Sequence, residues 1–367
     1  MKIESLQVSV ETLPLIKPFK TALRTAMEIE NIMVSVKLED GTEGLGAAAP
    51  TVAITGDSTK GIMMVIEEVI TPHLIGRDIE NINALSQLIQ RSCVGNTSAK
   101  AAVEIALYDA VSKRWQLPLY QYLGGKSNVL KNDMTISVDE PEEMAKAALS
   151  LIESGFSTMK IKLGKDWKND VERVACIRAA VGEQVMIRID ANQGWTTKQA
   201  ISIIHEIEER KLNVDLVEQP VQAHDIEGLK EIKRSVQVPI MADESLFSPR
   251  DAMRLLNEHA VDFLNIKLMK TGGIRSALQI ADMAEAAGVE CMIGSMMESS
   301  VSVAAAAHLA TAHPNITKID LDAPLWIKNE PFEGIRFMKD QLLISDKPGL
   351  GVKRKSSFAQ KKFRKGE

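Results

Sequence analysis

Cysteine is scarce in this chain, with only Cys93, Cys176 and Cys291 among 367 residues. The number is odd and the spacings are not those of metal ligands, so the sequence predicts neither a disulfide scaffold nor a structural zinc site. A reducing compartment is the simplest setting for such a chain. We therefore expect a cytoplasmic protein.

Long apolar runs and excess positive charge are also missing. No run reaches the ~18 apolar residues of a membrane-spanning helix, and the start, Met1–Glu4, has an early acid and no apolar core of signal-peptide length after it. The net charge of -5 argues against a nucleic-acid partner. The 45% hydrophobic and 25% charged residues are ordinary for a soluble globular protein, and the length allows one large and one smaller domain.

The first third of the chain, residues 1–125, has strand patterns followed by helix patterns. The strand segments are Ile3–Leu13 and Ile32–Leu38, and the helical segments are Thr59–His73, Ile79–Val94 and Ser98–Trp115. Asn96 and Ser98 are candidate N-caps of the last helix. This pattern predicts a small α+β domain that ends near Leu123-Gly124-Gly125.

Regular alternation of strands and helix-length segments follows from residue 126. The strands are predicted near 133–138, 158–162, 185–190, 214–218, 238–243, 262–267, 289–294 and 317–321. The central strands recur every 24 to 28 residues, which is the period of a β-strand and helix unit. Eight such strands favour a closed parallel barrel over an open sheet.

Five of these strands end in an ionisable residue: Lys162, Asp190, Glu218, Asp243 and Lys267. Because catalytic residues of such barrels lie at the carboxyl ends of the strands, these side chains should converge. Three converging carboxylates stay ionised only if a cation holds them together, and an all-oxygen ligand set points to Mg²⁺ or Mn²⁺ rather than zinc. Helix capping is the alternative, but it does not explain three successive acids.

The two lysines should then face each other, because Lys162 comes two strands before Glu218 and Lys267 two strands after it. A base must be neutral, and we expect burial beside Lys160 and a divalent cation to lower the pKa of such a lysine. One lysine could remove a proton next to a carboxylate while the other returns a proton to the opposite face. This arrangement predicts racemisation or epimerisation.

Five spaced motifs, in order along the chain, resemble the muconate-lactonizing-enzyme subgroup of the enolase superfamily. They are Lys160-Ile161-Lys162, Asp190-Ala191-Asn192-Gln193-Gly194-Trp195, Glu218-Gln219-Pro220, Asp243-Glu244-Ser245 and Asn265-Ile266-Lys267. The resemblance implies an α/β fold, with an α+β capping domain (residues 1–125) over a (β/α)7β modified TIM barrel (126–325). It also implies that residues 326–367 return to the cap.

The resemblance assigns roles to the residues at the strand ends. It implies one Mg²⁺ on Asp190, Glu218 and Asp243, with Lys162 and Lys267 as the acid/base pair. A further set of substrate contacts is implied in the barrel mouth and the cap loops: Arg24, Ile54, Thr135, Lys160, Asn192, Ser295, Met297, Asp320 and Asp322. Within this set, Lys160 is expected to hold the substrate carboxylate.

The pair Asp320 and Asp322 resembles the Asp-x-Asp with which dipeptide epimerases bind the substrate ammonium group. A turn before Pro324 is the alternative interpretation. Arg24 lies where L-Ala-D/L-Glu epimerases carry an arginine for the glutamate side chain, and a guanidinium paired with a carboxylate suits that role. A solvated loop arginine is the alternative. One departure is Ala47, where many relatives have glutamate after Gly-x-Gly.

The resemblance therefore implies a dipeptide epimerase acting on L-Ala-D/L-Glu from cell-wall peptide. Alternatives on the same scaffold are an epimerase for hydrophobic dipeptides, an N-acylamino-acid racemase, an o-succinylbenzoate synthase, a muconate cycloisomerase and a non-catalytic binding protein. We expect a dipeptide as the small-molecule partner and a homo-oligomer. The basic stretch Lys353–Lys365 invites a nucleic-acid or membrane interpretation, but a solvated, partly disordered end is expected.

Overall fold

The computed structural model describes residues 1–358, and its first element is a three-stranded antiparallel sheet in the order β1-β2-β3. The strands are β1 (Ile3–Lys20), β2 (Thr25–Leu38) and β3 (Glu43–Ala48). β1 and β2 are longer than predicted because they continue past β3 as a two-stranded hairpin, with an irregularity between Pro14 and Phe19. A turn at Asp40-Gly41-Thr42 joins β2 to β3, and Gly41 takes the positive φ of 84° that favours glycine there.

Helices cover one face of this sheet. They are α1 (Thr59–Met64), a π-helical turn (Val65–Ile70), α2 (Thr71–Leu74), α3 (Ile82–Arg91), α4 (Thr97–Arg114) and α5 (Leu119–Tyr122). The alanine-rich helix α4 is buried along most of its length and packs closely on β3. A Cβ atom at Gly46 would lie 1.9 Å from the carbonyl oxygen of Ala102, so this close approach requires glycine.

The N-terminus of α4 is capped differently from the sequence expectation. Asn96 has a left-handed backbone with φ of 49°, and its side chain makes no capping hydrogen bond. The backbone N–H of Ser98 instead donates to Oδ2 of Asp57 at 2.9 Å. The prediction of Asn96 as a side-chain cap is therefore wrong, because a residue 41 positions from Ser98 supplies the acceptor.

Eight parallel strands form the second part of the structure, in the same order as in the sequence. They are β5 (Met134–Ile136), β6 (Thr158–Lys162), β7 (Met186–Asp190), β8 (Val214–Glu218), β9 (Ile240–Ala242), β10 (Phe263–Lys267), β11 (Glu290–Gly294) and β12 (Ile316–Asp320). The ring closes where the backbone N–H of Asp133 donates to the carbonyl oxygen of Ile319 at 3.1 Å. Seven strands lie inside their predicted ranges, and the last is shifted by one residue.

Helices surround these strands. They are α6 (Pro141–Glu153), α7 (Asp170–Val181), α8 (Thr197–Glu209), α9 (Ile226–Ser235), α10 (Pro249–Asn257), α11 (Leu268–Thr271), α12 (Ile274–Ala286) and α13 (Ser300–Ala312). The side chains of Thr196, Asp225 and Ser248 cap α8, α9 and α10 by accepting a backbone N–H of the first turn. No helix within residues 1–358 combines the length and apolarity that crossing a membrane requires.

The segment after β12 runs back over both parts of the structure. It contains a 3₁₀ turn (Ala323–Trp326) and four short strands, β13 (Phe332–Glu333), β14 (Arg336–Met338), β15 (Gln341–Leu343) and β16 (Lys353–Arg354). β15 pairs with β14 and with β4 (Val129–Lys131). The backbone N–H of Leu350 donates to Asp109 on α4 at 2.7 Å. The basic stretch beyond Phe358, including Phe363, lies outside the described residues.

Candidate active site

Three carboxylates meet at the carboxyl ends of neighbouring strands. Asp190 ends β7, Glu218 ends β8 and Asp243 follows β9, and at most 1% of each residue is exposed. Parallel pairing places Asp190 directly beside Glu218, and the ligand oxygens of all three lie within 4.8 Å of one another. The donors are oxygen atoms only, so this set of residues fits Mg²⁺.

Neighbouring groups hold two of these carboxylates in place. The backbone N–H of Asn192 donates to Oδ1 of Asp190 at 2.9 Å. The side-chain amide of Asn265 donates to Oε1 of Glu218 at 2.8 Å. Each of these acids therefore has one oxygen fixed by the protein, and its other oxygen faces the cluster.

The two predicted catalytic lysines contact opposite ends of this cluster. Nζ of Lys162 lies 2.6 Å from Oδ2 of Asp190, and Nζ of Lys267 lies 2.7 Å from Oδ2 of Asp243. Their strands, β6 and β10, are four positions apart in the ring of eight, so the amines approach from opposite sides. A Cβ atom at Gly294 would lie 3.0 Å from Cε of Lys267, so glycine leaves room for this side chain.

Lys160 lies in the middle of the acidic groups. Its ammonium is 2.8 Å from Oε2 of Glu218, 3.0 Å from Oδ2 of Asp190 and 2.6 Å from Oδ2 of Asp320. The attraction of these carboxylates outweighs the effect of burial, so the pKa of Lys160 is raised well above its ordinary value. Its predicted contact with a substrate carboxylate stays a prediction.

The carboxyl groups of Asp190 and Glu218 differ in the direction of their pKa shifts. Burial raises the pKa of Asp190, but Lys162 and Lys160 outweigh it and bring that pKa to about 2. Burial and repulsion by Asp190 raise the pKa of Glu218 to about 7. Close carboxylates resist simultaneous ionisation, and a divalent cation is the charge that would let all of them ionise.

The pKa of Lys267 differs from the simplest sequence expectation. Burial lowers it, but attraction to Asp243 and other nearby acids has the larger combined effect, so the pKa of Lys267 is raised. The sequence argument combined burial, Lys160 and a divalent cation to predict a lowered value. The charges of the protein itself act in the opposite direction, so lowering the pKa of Lys267 requires the positive charge of the cation.

A small cavity lies above the cluster and brings the remaining predicted residues together. The predicted residues that line it are Arg24, Ile54, Thr135, Lys162, Asn192, Lys267, Ser295, Met297, Asp320 and Asp322. The lining does not include Lys160 or the three predicted metal ligands, Asp190, Glu218 and Asp243, which lie in the cluster itself. Phe19, Thr21, Leu23 and Met296 also line the cavity. The first three lie in the cap loop that carries Arg24, and Met296 precedes the predicted contact Met297.

Arg24 reaches this cavity from the hairpin between β1 and β2. It is half-buried, and burial lowers the pKa of its guanidinium. Within residues 1–358, its guanidinium makes neither a hydrogen bond nor an ion pair with an acidic side chain. A desolvated cation that faces a cavity without a partner favours an anionic ligand group.

Asp320 and Asp322 also line the cavity, where each is 6% exposed. Oδ2 of Asp322 accepts hydrogen bonds from the backbone N–H of Thr135 at 2.8 Å and from the indole N–H of Trp326 at 3.0 Å. The alternative interpretation as a turn is also realised, because a 3₁₀ turn starts directly after Asp322. The turn is therefore compatible with the predicted binding role, because both carboxylates still line the cavity.

Comparison with protein families identifies the chain's relatives. Residues 3–124 match the mandelate racemase / muconate lactonizing enzyme N-terminal domain, and residues 143–357 match the enolase C-terminal domain-like family. The chain belongs to the mandelate racemase / muconate lactonizing enzyme family of the enolase superfamily. This membership confirms the predicted fold class, a capping domain over a modified barrel.

Family members of known name and structure resemble the chain over nearly its full length. An L-Ala-D/L-Glu epimerase of Clostridium acetobutylicum is 47% identical over 96% of this chain and 99% of the relative. The substrate-liganded L-Ala-D/L-Glu epimerase of Bacillus subtilis has a TM-score of 0.95 and 47% identity, covering 96% and 99% of the two chains. The dipeptide epimerase of Enterococcus faecalis, complexed with Mg and L-Leu-L-Tyr, has a TM-score of 0.93 and 40% identity, with the same coverage.

Proposed function

We propose that this chain is a Mg²⁺-dependent dipeptide epimerase that inverts the α-carbon of the C-terminal residue, with L-Ala-D/L-Glu as its preferred substrate. The observation that carries the proposal is the approach of Lys162 and Lys267 to opposite ends of one buried acidic cluster. The relatives that are named L-Ala-D/L-Glu epimerases, at 47% identity, support it.

The chemistry requires an acid and a base on opposite faces of one carbon. Mg²⁺ held by Asp190, Glu218 and Asp243 would supply the Lewis acidity that makes a proton next to a carboxylate removable. One lysine, as the neutral amine, takes the α-proton as the C–H bond breaks. The other, as the ammonium, donates a proton to the opposite face. Inversion results, and the two lysines exchange protonation states.

Two groups of charged residues in the cavity lining suit the charged groups of L-Ala-Glu. Asp320 and Asp322 offer buried carboxylates to the free ammonium group, which an N-acylated substrate lacks. The guanidinium of Arg24, which has no acidic partner within the described residues 1–358, suits the side-chain carboxylate of glutamate. These two features favour a dipeptide with an acidic second residue over the substrates of racemases that act on N-acylated amino acids.

A second candidate, an epimerase for hydrophobic dipeptides, is favoured by the apolar part of the lining. Phe19, Leu23, Ile54 and Met297 face the same cavity as Arg24. The Enterococcus faecalis relative, whose structure contains L-Leu-L-Tyr, supports this candidate. Arg24 separates the two candidates, because a half-buried cation with no acidic partner among residues 1–358 disfavours an apolar side chain beside it.

Other features complete the proposal. We propose a cytoplasmic location, which the scarcity of cysteine supports, and a homo-oligomeric state. We also propose the domain limits 1–125, 126–325 and 326–367. Size-exclusion chromatography with light scattering tests the oligomeric state.

The direct experiment is exchange in D₂O with Mg²⁺. L-Ala-L-Glu, L-Ala-L-Phe and N-acetyl-L-glutamate are incubated separately with the protein and followed by mass spectrometry and chiral separation. We expect deuterium at the glutamate α-carbon and appearance of L-Ala-D-Glu, faster than exchange of L-Ala-L-Phe. Exchange of the N-acetyl substrate without exchange of either dipeptide would overturn the proposal.

A further inference from the structure

Trp326 lies where the ammonium site meets the cap. The residue is 2% exposed, and its indole N–H donates to Oδ2 of Asp322 at 3.0 Å. The same oxygen accepts the backbone N–H of Thr135 at 2.8 Å. Two donors from different elements therefore set the orientation of the Asp322 carboxylate at the cavity wall.

The ring of Trp326 contacts the hairpin of the cap. We call residues 14–20, at the end of β1, the hairpin arm. The ring of Phe19 meets the indole edge to face, with centroids 5.0 Å apart and an interplanar angle of 83°, and Nζ of Lys17 lies 5.0 Å from the indole centroid. Next to Trp326, the backbone N–H of Lys328 donates to the carbonyl oxygen of Pro14 at 2.8 Å.

These two sets of contacts use different parts of one side chain. The indole N–H donates to Asp322, and the aromatic surface of the indole contacts the hairpin arm. Phe19 of this arm also lines the cavity. We infer that Trp326 is a positioning residue for the substrate ammonium group, joining the hairpin arm and Asp322 into one unit. This inference rests on the proposed dipeptide epimerase function, in which Asp322 binds the free ammonium of the dipeptide.

The hydrogen bond from the indole N–H of Trp326 also affects the pKa of Asp322. Burial and the nearby Asp320 raise the pKa of Asp322, and the hydrogen bond from Trp326 opposes that rise because it favours the ionised form. An ionised Asp322 attracts an ammonium group, whereas a protonated one does not. Any buried indole N–H needs an acceptor, but the acceptor of Trp326 is a carboxylate that lines the cavity.

Trp326→Phe tests the first half of the inference, because it removes the N–H and keeps an aromatic ring. We expect the KM for L-Ala-L-Glu to rise roughly 10-fold or more, as for loss of a hydrogen bond to a charged group, with kcat changed by less than about 3-fold. Trp195→Phe is the matched control. Its indole N–H donates to Oδ2 of Asp170 at 2.8 Å, and Trp195 is 3% exposed, but Asp170 does not line the cavity.

The control variant should lose thermal stability to a similar extent and keep its KM. An unchanged KM in Trp326→Phe, or an equal rise in both variants, would overturn the inference and leave the proposed function standing. If the wild-type protein exchanges no dipeptide, the proposed function fails and this inference fails with it. The two failures are therefore distinguishable in one set of assays.

Trp326→Leu tests the second half, because it removes the aromatic surface as well. Amide hydrogen exchange of the hairpin arm, followed by mass spectrometry, should become at least several-fold faster in Trp326→Leu and stay near the wild-type rate in Trp326→Phe. Equal protection of the arm from amide exchange in all three proteins would show that the Trp326 ring does not hold the hairpin arm in place. If Trp326→Leu does not fold, the KM comparison above still decides the role of the N–H.

Discussion

The ammonium of Lys270 lies 2.5 Å from Oδ1 of Asp243, on the carboxylate oxygen opposite the one that Lys267 contacts. The Lys270 side chain is 0% exposed, and its ammonium also donates to the main-chain oxygens of Asp243 and Asn265. Lys270 thus restricts the rotation of a predicted metal ligand from outside the cavity.

We predict that Lys270→Met weakens Mg²⁺ binding by roughly 10- to 100-fold, because groups that orient metal ligands have effects of that size. Isothermal titration of metal-free protein with Mg²⁺ measures the affinity independently of activity. The matched control is Lys100→Met: Lys100 is 5% exposed and donates to the carbonyl oxygens of Gln90 and Cys93. The control should lose stability but keep its Mg²⁺ affinity, and unchanged or tighter binding in Lys270→Met would contradict the prediction.

The opposed lysines predict that each face of the substrate carbon has its own base. Lys162→Ala and Lys267→Ala should each reduce epimerisation by at least about 10²-fold, the lower end for loss of a general acid or base. Each variant should still exchange the α-proton of one stereoisomer, and the two variants should differ in which one. Proton NMR in D₂O with L-Ala-L-Glu and L-Ala-D-Glu measures this, and exchange of the same isomer by both variants would refute separate faces.

The main features of the fold and site were predictable from local patterns. Ionisable residues end successive strands at a regular period, so the acids and Lys162 and Lys267 could be placed at one edge without coordinates. The register of the parallel strands then brings Asp190 beside Glu218, as expected for a barrel. The strand period is enough to predict this pairing, because the residues that meet lie at equivalent positions of neighbouring strands.

Contacts between distant segments were not predictable in this way. Asp57 caps α4 from 41 residues away, and Trp326 joins Asp322 to the hairpin arm. Lys270 lies on a short helix, where a lysine is ordinarily solvated, and only the fold shows that it points at Asp243. Each of these roles depends on which loops meet, and local sequence patterns do not encode that.

The position of Arg24 in the cavity lining predicts that the protein prefers dipeptides whose second residue is acidic. Arg24→Met keeps an unbranched apolar stem and removes the guanidinium, so turnover of L-Ala-L-Glu should fall by roughly 10- to 100-fold in kcat/KM, the loss expected for a hydrogen-bonded ion pair. Turnover of L-Ala-L-Met should change little. Lys20→Met is a suitable control, because Lys20 lies on the same hairpin but pairs with Asp139 at 2.6 Å. Equal losses for both dipeptides would argue against the predicted role.

The buried side chain of His308 should make the folded protein less stable in acid, independently of catalysis. Its Nδ1 accepts the backbone N–H of Tyr120 at 3.0 Å, so the proton of the neutral ring lies on Nε2, which is 3.2 Å from the carbonyl oxygen of Leu350. Burial lowers the pKa of His308 from 6.5 to about 4. The folded protein therefore keeps this ring neutral through a pH range in which the unfolded chain binds a proton.

The sign of the effect follows from proton binding. The contribution of His308 is fully present above pH 6.5 and is lost as the pH falls from 6.5 to 4, a change of about 3 kcal/mol for the shift in pKa. We predict that His308→Asn is less stable than wild type at pH 7 and that this difference shrinks toward pH 4.5. Urea unfolding at several pH values measures it. The control His224→Asn removes an exposed histidine and should leave the pH dependence unchanged, and a constant difference between wild type and His308→Asn would contradict the prediction.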